Sequence, residues 1–358
     1  MWYNTNMFEP KFVITTKILS RIGEISEIKA AVERSRVLPL NEAQLRRQAI
    51  LRMAHTSTSI EGNKLAQFEV GKVFEGKAVS ASSEDILEVE NYLNGLKLVD
   101  ELSKSKHDLN LEEILHMHKT LINGLVEKQK VGRIRPSDIY ILDDLGGGKE
   151  MLRFKGPPAQ EVQRLLADLL EWLKKAKIEG IHPIIIAGVF HLEFVSIHPF
   201  TDGNGRATRL LTQLLLYRLN WDFRKILVLE DYYNQDRLAY YNALHSEEDK
   251  EYHQGRESTG WLEYFTNGFL VEARKVSDKI QSIGYGKVSK SSEQVFLDKD
   301  EIQIMDFLST TGRIISDDVA DILSLTKRAA QLKLKKLVKS KIILVQGSGP
   351  STCYVLNK

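Results

Sequence analysis

The chain has 358 residues, 42% of them hydrophobic, which is enough for two or three domains with ordinary buried cores. A formal net charge of +2 excludes a strong overall field for nucleic acid or membrane surfaces. A single cysteine, Cys353, excludes an intrachain disulfide and a cysteine-based metal cluster.

No apolar run approaches the length that spans a bilayer, and the first ten residues have no basic start followed by an apolar stretch. We therefore expect a cytoplasmic protein with no membrane partner.

Residues 1–110 have the pattern of a helical region. Pro39 and Asn41 mark the start of a helix from about Glu42 to Ser59. The helix runs into a segment 57–63 that contains Glu61 and Gly62, and this segment alone is typical of a helix closed by glycine.

Two more helices are predicted at about 84–102 and 111–121. The second carries His116 and His118, which we interpret as ordinary packed or surface histidines.

Residues 132–156 interrupt the helical pattern. Two short apolar segments, 139–142 and 151–154, flank a glycine-rich stretch and predict a β-hairpin. The hairpin is either a surface excursion or a flap whose edge pairs with an extended target segment by strand addition. Pro157 and Pro158 then open a helix at about 161–176.

The stretch from His198 to Arg209 lies between two apolar segments with helical periodicity and predicts a loop that opens a buried helix. Its glycines let backbone amides converge, and Asn204 stands where a helix start is usually capped, so the turn is an anion site. Two arginines three residues apart suit a polyphosphate. Asp202 offers the hard oxygen that Mg²⁺ prefers, and His198 is a candidate base.

This stretch resembles the signature of the Fic family, H-x-F-x-[D/E]-G-N-[G/K]-R-x-x-R, at every specified position. The resemblance implies a mainly α fold with a β-hairpin flap and an activity that transfers AMP from ATP to a Ser, Thr or Tyr hydroxyl of a target protein. It implies that His198 deprotonates the hydroxyl, that Asp202 holds Mg²⁺ and that Phe200 anchors the loop. Glycine at 205, where Doc-like kinases have lysine, favours adenylylation over phosphorylation.

The same resemblance assigns a nucleotide site and a flap. The expected ATP contacts are Thr201, Asp202, Gly203, Asn204, Gly205, Arg206, Arg209, Tyr240 and Tyr241. For the tyrosine pair, core packing is the alternative to adenine contact. The flap, at about 137–155, would bind the target through Ile139, Tyr140, Ile141 and Leu142.

Ser57 and Glu61 match the family's inhibitory motif, [S/T]-x-x-x-E-[G/N]. A carboxylate placed against Arg209 would form a forked ion pair and occupy the guanidinium that otherwise holds the γ-phosphate. Two alternatives stay open: removal of AMP by the same site with a water aligned by Glu61, and a DNA-binding regulator whose Fic core senses nucleotide.

We divide the chain into an N-terminal helical region with the inhibitory helix (1–110), a Fic catalytic core (111–275), a polar linker (276–297) and a small C-terminal domain (298–358). Three short helices and a hairpin in the last part resemble a winged helix-turn-helix. Its basic third helix predicts contact with either DNA phosphates or a protein partner. A homodimer and self-modification are further expectations.

Overall fold

The computed structural model describes residues 8–35, 37–105, 107–144, 150–245, 250–284, 298–340, 342–347, 349 and 352–357. The described chain is mainly helical, as predicted. Its helices are α1 Thr16–Arg34, α2 Pro39–Ile60, α3 Gln67–Phe74, α4 Ser83–Ser103, α5 Leu111–Ile122, α6 Val162–Ile178, α7 Pro183–Ile197, α8 Asn204–Arg218, α9 Leu229–Gln235, α10 Arg237–Leu244, α11 Thr259–Gly284, α12 Lys299–Thr311, α13 Ser316–Leu323 and α14 Lys327–Lys339. Its strands are β1 Tyr140–Asp144, β2 Glu150–Lys155, β3 Ile343–Gln346 and β4 Cys353–Leu356.

Helix α7 forms the centre of the large core. Every residue from Ile184 to Ile197 is buried, because this helix is apolar on all sides and other helices surround it. Gly188 allows α11 to approach closely: a Cβ there would stand 2.7 Å from Leu262, and the indole of Trp261 donates to the Gly188 carbonyl at 2.7 Å. The end of α7 is therefore fixed in position by the core.

Helix α2 extends from the C-terminal elements to the candidate site. Near its start, Leu40 and Ala43 belong to the hydrophobic cluster of α12, α13, α14 and β3. At its other end the residues from Thr56 to Ile60 are buried, and Gly62 leaves the helix with φ +104. The predicted glycine stop is confirmed, and Asn63 after it bonds Asp85 and Glu88 of α4.

The flap strands β1 and β2 pair antiparallel, with Tyr140 opposite Lys155 and an irregularity between Ile141 and Leu142. The N–H of Lys155 donates to Lys250, and Tyr252 donates back to Lys155. Residues 250–252 thus cover the outer edge at the base of β2. In the ranges that the structure describes, no strand covers the outer edge of β1.

The expected linker begins too early. Helix α11 continues to Gly284, because Val276 and Ile280 extend its buried stripe by another turn. The rest of the expected linker, 285–297, lies outside the described residues. The elements after it follow the predicted order of three helices and a hairpin, while the winged-helix assignment stays a prediction.

Among the described residues, no helix is long and apolar enough to cross a membrane.

Candidate active site

The loop between α7 and α8 is held by its own side chains and by Arg135. His198 ends α7 in the left-handed region, and Gly203 precedes α8 with φ +77. The side chain of Asn204 accepts from the N–H of Phe200 at 2.9 Å and donates to its carbonyl at 2.8 Å. Asn204 therefore closes the loop from the first helical position. The sequence predicted Asn204 as the N-cap, but Gly203 occupies that position.

Arg135 supports the same loop from outside. Its buried guanidinium donates to the carbonyls of His198, Ser137 and Pro157 at 2.8, 2.7 and 2.6 Å. Its N–H donates to the carbonyl of Pro199. The sequence does not indicate this role for Arg135, because its partners are backbone carbonyls, which every type of residue carries.

The imidazole of His198 is neutral, and its Nε2 has no hydrogen-bond partner in the part of the chain that the structure describes. Its Nδ1 lies 3.0 Å from the carbonyl of Val195, which can only accept, so Nδ1 carries the proton. Burial lowers the pKa of His198 to about 4. At neutral pH Nε2 is therefore available to accept a proton.

Arg209 contacts the end of α2 and pairs with Glu61 through a single nitrogen of its guanidinium on one carboxylate oxygen, instead of the forked pair expected from the sequence. Its Nη2 lies 2.6 Å from Oε1 of Glu61, and its Nε donates to the hydroxyl of Ser57 at 2.7 Å. The Arg209 side chain is 1% exposed and that of Glu61 30%. Burial opposes ionisation of Glu61, but Arg209 and Arg206 outweigh it and lower the pKa of the carboxyl.

Gly205 makes room for this carboxylate. A Cβ built on Gly205 would lie 2.4 Å from Oε1 of Glu61 and 3.1 Å from Nη1 of Arg209. The Glu61 carboxylate thus lies against the first turn of α8, where the leading amides have no partner within the helix. It occupies the kind of position that an anionic ligand group would take.

Arg206 is the second buried arginine of the turn. Its Nη1 lies 2.7 Å from Oε1 of Glu88, and its Nη2 lies 3.3 Å from Oδ1 of Asp202. Its buried Nε has no hydrogen-bond partner among the described residues. An unpartnered buried donor beside an anion turn fits a polyphosphate.

Asp202 also fits a magnesium ion that a polyphosphate ligand would mainly hold. The carboxylate of Asp202 is 52% exposed and lies beside Arg206. In the described part of the chain, no three His, Cys, Asp or Glu side chains are grouped as a protein-only metal site. One carboxylate plus substrate phosphates is the usual arrangement for Mg²⁺.

The Fic/DOC family model matches residues 108–216, from just before α5 to the last turn of α8. Over these residues the chain is similar to the Fic/DOC family. The Fic family protein from Desulfovibrio desulfuricans G20 is 25% identical, with a TM-score of 0.62 and 98% of each chain covered. Fic-1 from Caenorhabditis elegans (residues 134–508) shares the fold at 21% identity, with a TM-score of 0.59 over 74% of this chain and 73% of that one.

Among curated proteins, protein adenylyltransferase fic-1 from Caenorhabditis briggsae is 31% identical over 238 residues. The match covers 65% of this chain and 42% of the relative. The chain spans less than half the length of the curated relatives it matches.

His118 supports the Fic loop, a role that the sequence analysis missed. Its ring stacks on Phe200 with centroids 3.7 Å apart. Its Nδ1 accepts from the N–H of Gly132, so the neutral ring donates from Nε2 to the carbonyl of Asp202, at 3.1 Å in both cases. Burial lowers its pKa to about 4 and keeps it neutral. Its place on the buried face of α5 was the available signal, but the partners are 14 and 84 residues away.

The two tyrosines of α10, Tyr240 and Tyr241, lie in different environments. Tyr240 is fully buried, stacks on Tyr233 and lies 2.9 Å from Nε2 of His191. Tyr241 is half-buried at the end of α2, with the guanidinium of Arg153 over its ring. Core packing therefore describes Tyr240, whereas the ring of Tyr241 is only partly buried.

The flap presents apolar side chains to solvent. Tyr140, Leu142 and Met151 are each about half exposed, and Ile139 precedes β1 instead of starting it. Thr201 is exposed at the front of the signature loop. Thr201 and these three flap side chains are therefore accessible to solvent.

Proposed function

We propose that this protein is a Mg²⁺-dependent protein adenylyltransferase that transfers AMP from ATP to a Ser, Thr or Tyr hydroxyl of a target protein. The observation that carries the proposal is the neutral imidazole of His198 at the mouth of an anion turn with two buried arginines. The curated relatives named protein adenylyltransferase support the reaction type.

In this proposal the hydroxyl oxygen of the target forms a bond to the α-phosphorus of ATP, and its proton passes to Nε2 of His198. The bond from the α-phosphorus to the bridging oxygen breaks, and pyrophosphate leaves with the electron pair. Arg206, Arg209 and the α8 amides hold the departing phosphates in line. A bound Mg²⁺ would be held by Asp202 and the phosphates and would neutralise part of their charge.

The ion pair of Glu61 with Arg209 supports an inhibited resting state. A guanidinium occupied by a carboxylate cannot grip the γ-phosphate, so ATP would bind in an unproductive pose. Target contact through the β1 edge and the exposed flap residues follows from the uncovered strand.

Intact-mass spectrometry after incubation with ATP and Mg²⁺ tests the reaction on the protein itself. Glu61→Gly should gain one AMP by self-modification. The double variant Glu61→Gly, His198→Ala is the matched control and should gain none. Gain of a phosphoryl group instead, or AMP on the control, would contradict the proposal.

Removal of AMP is a second candidate reaction, because only one oxygen of Glu61 bonds Arg209 in the structure and the carboxylate is partly exposed. AMP-modified Glu61→Gly protein mixed with the wild-type chain is the assay. Loss of AMP that requires Glu61 in the added chain would support it.

DNA contact by α14 is a separate candidate. Arg328, Lys335 and Lys339 are exposed on this helix and have no carboxylate partner in the described ranges. A gel shift at low salt tests it, since phosphate contacts are strongest there. A shift that persists after deletion of residues 298–358 would contradict this candidate, as would no shift at all.

A homodimer and a cytoplasmic location stay predictions.

A further inference from the structure

Glu88 of α4 lies between the two functional segments, and the motif analysis gives it no role. Its Oε1 lies 2.7 Å from Nη1 of Arg206, and the two side chains are 13% and 6% exposed. Such a pair is shielded from water, so it fixes the position of the guanidinium far more strongly than a surface pair could.

The second oxygen of Glu88 faces the inhibitory segment. It accepts from Nδ2 of Asn63 at 2.7 Å, and the same amide nitrogen donates to the carbonyl of Asp85 at 2.9 Å. Oδ1 of Asn63 accepts from the N–H of Leu65 at 3.0 Å. Asn63 follows Glu61 by two residues, so its side chain connects the end of the inhibitory helix to α4.

Glu88 also determines which carboxylate Arg206 contacts most closely. The guanidinium is nearer to Glu88, at 2.7 Å, than to Asp202, at 3.3 Å. If Arg206 turned fully toward Asp202, it would occupy the oxygens that the proposed function gives to Mg²⁺. With Arg206 held on the Glu88 side, its contact with Asp202 is the longer one at 3.3 Å, and its Nε stays without a partner among the described residues.

On the basis of the proposed function, we propose that Glu88 is a positioning residue that holds Arg206 toward the outer phosphates of ATP. Through Asn63 it also ties the segment after Glu61 to α4. One carboxylate thus orients a phosphate-binding arginine and secures the inhibitory segment.

Titration calorimetry of ATP and AMP binding tests the first part, in the Glu61→Gly background. Adding Glu88→Gln should weaken ATP binding about tenfold, as expected for one disturbed charged hydrogen bond, and leave AMP binding unchanged. AMP lacks the outer phosphates, so it separates positioning of Arg206 from general damage. Equal losses for both nucleotides, or no loss for ATP, would overturn the role.

Two further variants keep this test decisive. Glu88→Asp retains the charge and should recover part of the ATP affinity, whereas exposed Glu90→Gln on the same helix should change nothing. If Glu61→Gly protein binds no ATP at all, the proposed function fails. If it binds ATP with the expected Glu88 effect but incorporates no AMP, only the reaction type fails.

Asn63→Asp tests the second part, because it keeps the acceptor for Leu65 and replaces the donor that faces Glu88 with an oxygen. ATP affinity and AMP incorporation should both rise toward those of Glu61→Gly in the otherwise wild-type chain. Once Glu61 is glycine, the same change should raise neither quantity further. Asn94→Asp, at an exposed position of α4, is the control. Unchanged affinity and rate in the wild-type background would overturn the shared connection.

Discussion

The two arginines of the signature turn and the lysines of α14 show two ways of pairing charge. Arg206 and Arg209 are buried, and each meets a carboxylate from a distant helix. Lys327 pairs with Asp317 of α13 and Lys333 with Asp300 of α12 at the surface, where the two lysine side chains are 61% and 24% exposed. Water screens the surface pairs, whereas burial makes each partner at the site specific. Single substitutions should therefore matter greatly at the site and little on α14.

The largest stability effect should come from His118→Ala. The change removes the stack on Phe200 and leaves the Gly132 N–H and the Asp202 carbonyl without their partner. We expect a loss of about 3 kcal/mol in the free energy of unfolding, measured by urea denaturation. His116→Ala, on the exposed face of the same helix, should stay within about 0.5 kcal/mol. Equal losses for the two variants would mean that the loop does not depend on this brace.

Titration of a buried carboxyl should give the next largest effect. Burial raises the pKa of Glu193 to about 7 from an ordinary value near 4.5, while the hydroxyl of Tyr252 bonds it. Between these two values the folded protein keeps a proton that the unfolded chain has released. The proton retained by Glu193 therefore stabilises the fold at low pH. This stabilisation decreases as pH rises and is fully lost above pH 7.

Glu193→Gln removes the titration, so its stability relative to wild type should increase by about 2 kcal/mol between pH 5 and 8. Denaturation curves at several pH values measure this difference. Glu171→Gln, at an exposed position of α6, should show a constant offset. If the stability difference between Glu193→Gln and wild type were also independent of pH, the Glu193 carboxylate would have to be better solvated than it is in the structure.

Gly205→Ala should have a smaller effect than the two preceding variants, and the quantity that changes is the rate of AMP incorporation. The new Cβ would stand 2.4 Å from Oε1 of Glu61, so the carboxylate must move off Arg209. We expect a severalfold rise in AMP incorporation, equivalent to roughly 1 kcal/mol of lost inhibition. In the Glu61→Gly background the same change should have little effect, because the clash no longer exists. A similar change in both backgrounds would show that the methyl acts on ATP instead of on Glu61.

The sequence predicted the residues that carry chemistry better than the residues that position them. The chemical groups stand in one continuous stretch, His198 to Arg209, with one further motif at Ser57 and Glu61. The short spacing and the buried helix leave few arrangements for the stretch, so its residues come together in one loop and helix start. Arg135, His118 and Glu88 were missed, since each acts through a backbone carbonyl or a distant side chain that leaves no periodic signal.

The prediction of the fold was likewise accurate for some elements and wrong for others. Helices with a strong apolar stripe matched to within a few residues, as at 111–121 against Leu111–Ile122. The linker start failed because polar composition at 276–284 hid the apolar pair Val276 and Ile280, which keeps α11 helical. Composition averages over a window, whereas a helix needs only one buried face.

The smallest effect should come from a single lysine of α14. Lys333→Ala removes surface pairs with Asp298 and Asp300, and water can solvate both acids afterwards. We expect a change within about 0.5 kcal/mol in the free energy of unfolding, with AMP incorporation by Glu61→Gly protein unaltered. Lys335→Ala, which has no acidic partner in the described ranges, is the control. A loss near that of His118→Ala would break the comparison, because it would mean that α14 depends on its charges as strongly as the signature turn does.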